Sequence, residues 1–142
     1  MNATPPASSL PFTAWWEREG LRHVDGHLEL AGRRVADLAA GTGTPAFFYD
    51  AERVRAKATS LHAALDGAGL EHRVYYAMKA NRFVPLLCFL RETGLVGIDA
   101  CSPEEILLAL SCGFDEDDLS FTATSLSESD LDVLARHPGV HV

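Results

Sequence analysis

The chain has 142 residues, is 47% hydrophobic and 23% charged, and carries a formal net charge of −8. That balance belongs to a globular chain of about one domain rather than to a disordered one. The acidic excess argues against a nucleic-acid partner, which needs a basic face, and no apolar run approaches the roughly 20 residues that span a bilayer.

In chain order, Met1 to Pro11 is polar and proline-rich and reads as a loose tail without the pattern of a secretory signal. Leu21 to Leu30 alternates apolar and polar residues about Asp25-Gly26, a hairpin signal. Val35 to Ala40 reads as a short helix stopped by Gly41 or Gly43. Pro45 forces an extended chain, and Phe47-Phe48-Tyr49 reads as a short strand. Asp50 is placed to cap a helix whose apolar positions are Val54, Ala58, Leu61 and Leu65, ended by Gly67 and Gly69. Val74 to Ala77 is a strand. Phe83, Leu86, Leu87 and Leu90 form one helical face that stops near Gly94, and Val96 to Ile98 is the next strand. Ser102-Pro103-Glu104-Glu105 opens a third helix, with serine as cap, proline in the first turn and Glu105 placed to complete a capping box; this helix ends at Gly113. Leu119 to Phe121 is a strand, Ser127 to Asp130 opens a fourth helix, and Val140 to Val142 begins another strand.

Strands begin near residues 74, 96, 119 and 140, and a strand with its packed return helix needs about this spacing. The period predicts a repeated βα unit, in either a doubly wound sheet or a (β/α)8 barrel. Local pattern does not choose between them. A whole barrel takes about 250 residues, so a barrel reading leaves fewer than half the strands in this chain. Helices on one side would then leave an inner face uncovered, at Val74, Tyr76, Val96 or their neighbours.

Lysine is scarce. Lys57 lies mid-helix among polar neighbours, whereas Lys79 directly follows the Val74–Ala77 strand. The carboxyl ends of parallel strands are where active sites collect, and a partly desolvated amine there is a nucleophile for an aldehyde. The histidine pairs His23/His27 and His137/His141 are each split by a turn sequence, so no metal site is expected. Cys88, Cys101 and Cys112 lack CxxC spacing and fit reduced thiols in a cytoplasm.

Three stretches now point one way. Tyr76-Ala-Met-Lys-Ala-Asn81 resembles the Tyr-Ala-x-Lys-Ala-Asn signature of the fold-type III pyridoxal-phosphate decarboxylases, the diaminopimelate and ornithine/arginine group. Gly43-Thr-Pro-Ala-Phe-Phe-Tyr-Asp50 resembles that family's Gly-Thr-Pro-x-x-x-Tyr-Asp, and Gly97-Ile-Asp-Ala-Cys-Ser-Pro-Glu-Glu-Ile106 resembles its Gly-x-Asp-x-x-Ser-x-x-Glu-Ile. The resemblance runs from about Leu28 to Val142. It implies a partial (β/α)8 TIM-like barrel of the alanine-racemase type over residues 44–142. Residues 1–43 would be the tail, hairpin and short helix that accompany a C-terminal β-domain. It implies pyridoxal phosphate on Lys79, with Ala77, Asp99 and Glu105 near it and Lys79 and Asp99 catalytic. It implies an amino-acid substrate, diaminopimelate first, and a cytoplasmic homodimer when the protein is complete. The phosphate loop, the group facing the pyridine nitrogen and the later catalytic residues would lie beyond Val142, so the chain reads as an N-terminal portion, inactive alone. One departure is visible: diaminopimelate decarboxylases often carry Lys-Ser after the third barrel strand, and Leu126 stands at that lysine position. An ornithine/arginine decarboxylase is the alternative, followed by an amino-acid racemase or a non-catalytic pyridoxal-binding remnant.

Overall fold

The structure, a computed structural model, describes residues 15–142; the expected tail lies outside them. Two compact units meet between Asp50 and Ala51, against an expected boundary at 43/44. The first unit is a meander of β1 (Leu21–Val24), β2 (His27–Leu30) and β3 (Arg33–Arg34), followed by α1 (Val35–Thr42). Asp25 and Gly26 both have positive φ, 49° and 79°, as a two-residue turn between right-twisted strands demands, and Leu21 pairs with Leu30. A second such turn uses Ala31 and Gly32, at 51° and 74°. Alanine gives no signal for a left-handed turn, so the sequence does not announce β3. The expected strand Phe47–Tyr49 does not form. It pairs with no strand among the described residues, and Phe47 is 87% exposed.

The second unit repeats strand and helix: α2 (Ala51–Gly67), β4 (Tyr75–Ala77), α3 (Val84–Thr93), β5 (Gly97–Ala100), α4 (Pro103–Ser111), β6 (Leu119–Phe121) and α5 (Glu128–Ala135). Three of its helices have boundaries that the sequence encodes. Gly94, in the left-handed region, closes α3. Ser102 accepts from the Glu105 N–H to open α4, and Ser127 and Asp130 exchange side-chain and backbone hydrogen bonds at the start of α5. The strands are parallel in the order β4-β5-β6. The last expected strand is only begun: His141 bridges Ser120, its N–H donating to Leu119 and its carbonyl accepting from Phe121.

Strand register sorts the residues onto two faces. Tyr76, Ile98 and Leu119 stand in one row, with Ala100 and Phe121 on the same side. This side is the core. Ile98, Ala100, Leu119 and Phe121 are buried against Leu86, Leu87 and Leu90 of α3 and Ile106 and Ala109 of α4, and Val54 and Leu134 add to the cluster from α2 and α5. The opposite side carries Tyr75, Ala77, Gly97, Asp99 and Ser120. All helices of this unit that join the core lie on one face of the sheet. That is the layering of a barrel wall, whereas a doubly wound sheet is covered on both faces. The uncovered face is therefore the one bearing Ala77 and Asp99. Tyr76 and Val96 pack against the core instead, because a shift of one residue along a strand changes the face.

Gly97 is needed where it is. A Cβ there would come within 2.9 Å of the Tyr75 ring and against the Asp118 carbonyl, so strand and ring approach as only glycine permits. Beside β4 an apolar groove of about 390 Å³ opens, lined by Val54, Ala58, Leu61, Val74, Tyr76 and Val96. It explains why Leu61, an expected core position, is 46% exposed.

Glu116, in the single turn before β6, ties that strand to the start of the next. Its carboxylate accepts from His137 Nδ1 at 2.8 Å and from the Gly139 N–H at 2.9 Å. The His137 hydrogen bond, then the one from Gly139, holds its carboxyl below the usual carboxylate range. The folded form thus releases this proton more readily than the unfolded chain. The stability it contributes is complete above about pH 4.3, the ordinary glutamate value, and is lost as pH falls through the lowered one. Glu116→Gln is expected to flatten that acid limb of the urea midpoint plotted against pH, and an unchanged limb would count against the assignment.

Candidate active site

The carboxyl ends of the parallel strands bring several of the expected residues together. β4 runs into a single 3-10 turn, Met78–Ala80. Met78 is fully buried in the core while its neighbour Lys79 is exposed, so the turn is anchored by one side chain and presents the next. Two residues of the same motif brace it. The Tyr76 hydroxyl donates to the Asn81 carbonyl at 3.2 Å, across the turn, and the Asn81 side chain accepts from the Phe83 N–H at 2.9 Å where α3 begins. These bracing roles of Tyr76 and Asn81 carry no signal in the sequence beyond their place in the motif.

Ala77, Asp99 and Ser120 lie in one register row on the uncovered face. Asp99 is half-buried, and its Oδ1 accepts from the Thr122 hydroxyl at 3.0 Å, which fixes the carboxylate at the end of β5. Sequence reading missed Ser120 and Thr122, because register alone places them beside Asp99.

Glu105 is arranged differently from the expectation. Its backbone N–H binds the Ser102 hydroxyl, but its Oε2 accepts from the N–H of Cys101, at 2.8 Å, and not from that of Ser102. The reciprocal capping box is therefore half made, and the carboxylate instead pins the residue that leaves β5. At 5% exposure Glu105 is the buried charged residue of the described chain. Glu105→Gln keeps an acceptor for Cys101 and is expected to cost less than about 1 kcal/mol. Glu105→Ala strands that N–H and is expected to cost about 1–3 kcal/mol, read from urea unfolding. Equal losses for the two variants would show that the carboxylate does not pin Cys101.

One histidine of each pair split by a turn meets a carboxylate: His23 lies 3.4 Å from Glu17, and His137 binds Glu116. Among the described residues no three histidine, cysteine, aspartate or glutamate side chains gather as a metal site would need, and no helix is long and apolar enough to cross a membrane.

The family model of the pyridoxal-dependent decarboxylase, pyridoxal binding domain, matches residues 51–142. The chain belongs to the pyridoxal-dependent decarboxylase family. The match begins at the first residue of the second compact unit. The chain is 38% identical over 106 residues to a diaminopimelate decarboxylase of Methanothermobacter thermautotrophicus, covering 75% of this chain and 24% of the relative. It is 34% identical over 112 residues to that of Bacillus subtilis, covering 79% and 25%. The chain thus spans about a quarter of the length of these curated relatives. Among solved structures, diaminopimelate decarboxylase from M. jannaschii in co-complex with L-lysine superposes with a TM-score of 0.71 at 20% identity, over 84% of this chain and 28% of that one. An Aquifex aeolicus protein superposes with a TM-score of 0.75 at 25% identity, over 86% and 29%. The partial α/β barrel inferred from one-sided helix packing is the fold that these two structures share.

Proposed function

We propose that this chain supplies the lysine-bearing part of the active site of a diaminopimelate decarboxylase. The observation that carries the reading is Lys79, presented from an anchored turn that directly follows β4, beside a strand that carries Asp99 near its carboxyl end. The relatives' names supply the substrate.

The residues present fit a pyridoxal group. Lys79 offers an exposed primary amine, Ala77 adds little bulk beside it on β4, and Asp99 offers a carboxylate held by Thr122. Lys79 would hold the cofactor covalently through Nζ. When bound, the cofactor supplies an electron sink for the pair left by the departing α-carboxylate. Asp99 would stabilise positive charge at the lysine nitrogen, as a carboxylate does for a nearby cation. Glu105 acts through Cys101, keeping the end of β5, and with it Asp99, in place. In the complete protein we propose a cytoplasmic homodimer; the three free cysteines agree with a reducing compartment.

A second reading, an ornithine or arginine decarboxylase, is favoured by one residue. Leu126, 40% exposed after β6, stands where the diaminopimelate enzymes often carry lysine.

The intact protein should release carbon dioxide from diaminopimelate faster than from ornithine, arginine or lysine, and preference for ornithine or arginine would move the assignment to the second reading. The 142-residue chain by itself should release none. Its three parallel strands and one bridge do not close an eight-stranded wall, and its β4 flank and inner face stay open. Turnover by the isolated chain above about 1 s⁻¹ would overturn that expectation.

A further inference from the structure

At the amino ends of the strands, away from Lys79, two histidines absent from the sequence reading face each other. His62 Nδ1 of α2 lies 2.8 Å from His72 Nε2, in the stretch leading to β4. The outer nitrogens are both committed: His62 Nε2 lies 2.6 Å from the Leu95 carbonyl, just before β5, and His72 Nδ1 lies 3.0 Å from the Leu70 carbonyl. The rings are tilted at 45° with centroids 4.9 Å apart, and the His72 side chain is 14% exposed.

We propose that His62 and His72 share one proton, forming a singly charged clasp that fastens α2 to the amino end of the sheet over a limited window of pH. The inference follows from donors and acceptors. A carbonyl only accepts, so His62 must carry its proton on Nε2 and His72 on Nδ1. A neutral imidazole carries one N–H. Two neutral rings would therefore oppose two lone pairs at 2.8 Å. One further proton converts that opposition into an N–H···N hydrogen bond. A second would set two N–H groups against each other. Only the singly charged pair satisfies all three contacts. A neutral pair survives only if one ring changes tautomer and abandons Leu95 or Leu70, leaving a carbonyl without its donor.

A metal ion in place of the proton does not fit the spacing. Two nitrogens on one zinc at about 2.0–2.1 Å in tetrahedral geometry stand about 3.3 Å apart, wider than observed. The charges around the pair come from each packed element. Asp66 of α2 lies 3.8 Å from His72 Nδ1 and favours the positive form. Arg73 and Arg91 line the same cleft of about 240 Å³ and would oppose it. Arg73 is neutralised by Asp118 at 2.7 Å, and Arg91 faces Asp115 at 3.7 Å. Asp66 is the carboxylate of these that faces the histidines directly.

The clasp joins three segments of the barrel wall where no chemistry is expected, the face that in such folds serves stability. The test uses the intact protein labelled with ¹⁵N-histidine. Long-range ¹⁵N–¹H spectra should place protons on His62 Nε2 and His72 Nδ1, with a through-hydrogen-bond coupling between the two facing nitrogens and one shared titration. Two neutral rings with one in the other tautomer would overturn the proposal, as would one equivalent of zinc bound at these nitrogens and removed by a chelator. Hydrogen exchange over residues 51–67, corrected for its intrinsic pH dependence, gives an independent reading. Protection of α2 should peak at one intermediate pH, where the pair holds a single extra proton, and fall at least about threefold on either side. His72→Gln should remove that peak; a peak of equal height in the variant would also overturn the proposal.

Discussion

Lys79→Ala in the intact protein is expected to abolish the absorbance band near ~420 nm that pyridoxal phosphate gives when joined to a lysine amine. Turnover should fall with it by at least about a thousandfold, a rise of about 4 kcal/mol in the barrier. The size of the effect follows from the scarcity of alternatives. Lys57 supplies the other lysine amine, and it sits exposed on α2, away from the strand ends. The fold should tolerate the change. Lys79 is exposed and the turn is held by Met78 below it and by Tyr76 and Asn81 across it. An unchanged urea midpoint would separate loss of chemistry from loss of structure. Borohydride reduction followed by peptide mapping should place the cofactor on Lys79 in the parent protein. Label on Lys57 or on the amino terminus would remove Lys79 from its role.

Ile98→Ala is expected to have the opposite signature, a loss of about 2–5 kcal/mol in stability. Ile98 is fully buried in the middle strand, in register with Tyr76 on one side and Leu119 on the other, under α3 and α4. Both neighbouring strands and both covering helices border the cavity that truncation would leave, so collapse to fill it would displace several elements at once. A domain is typically stable by only about 5–15 kcal/mol, so such a loss is a large share of the whole. The urea midpoint should drop accordingly. Asp99→Asn, one residue along the same strand, keeps an acceptor for Thr122 and serves as the control with little change. A loss below about 1 kcal/mol for Ile98→Ala would mean that the core is not packed as described.

The repeat was legible because a parallel sheet needs a return helix between strands, and that requirement imposes a length. The helix starts were legible because serine and proline do fixed work at Ser102-Pro103, as serine and aspartate do at Ser127 and Asp130. The three motif stretches gave the family and named Lys79, which the fold presents at the end of β4. What the sequence withheld depends on neighbours distant along the chain. The face each strand turns inward was missed at Tyr76 and Val96, since an apolar residue next to a strand end reads the same on either face. Phe47–Tyr49 carries strand-forming residues but meets no partner strand, and hydrogen-bonded pairing, not composition, makes a strand. β3 depends on a left-handed alanine. Glu105 has capping spacing, yet its carboxylate reaches Cys101, a choice made by the path of β5. His62 and His72 are ten apart with a helix end between them, a separation no local pattern flags.

The alternation along β5 has a consequence for how such a chain can change length. Within Gly97–Ala100, consecutive residues serve close packing on Tyr75, the core, the open face and the core again. Insertion or deletion of a single residue there would exchange the two faces, turning Asp99 into the helix layer and Ile98 toward the uncovered face. The core and the proposed site would be lost together, with no intermediate variant in which one is kept while the other drifts. A change of length is therefore expected to be tolerated only between the elements, such as at Ala123–Leu126 after β6, where the polypeptide can be lengthened without changing which side of the wall any strand residue sees.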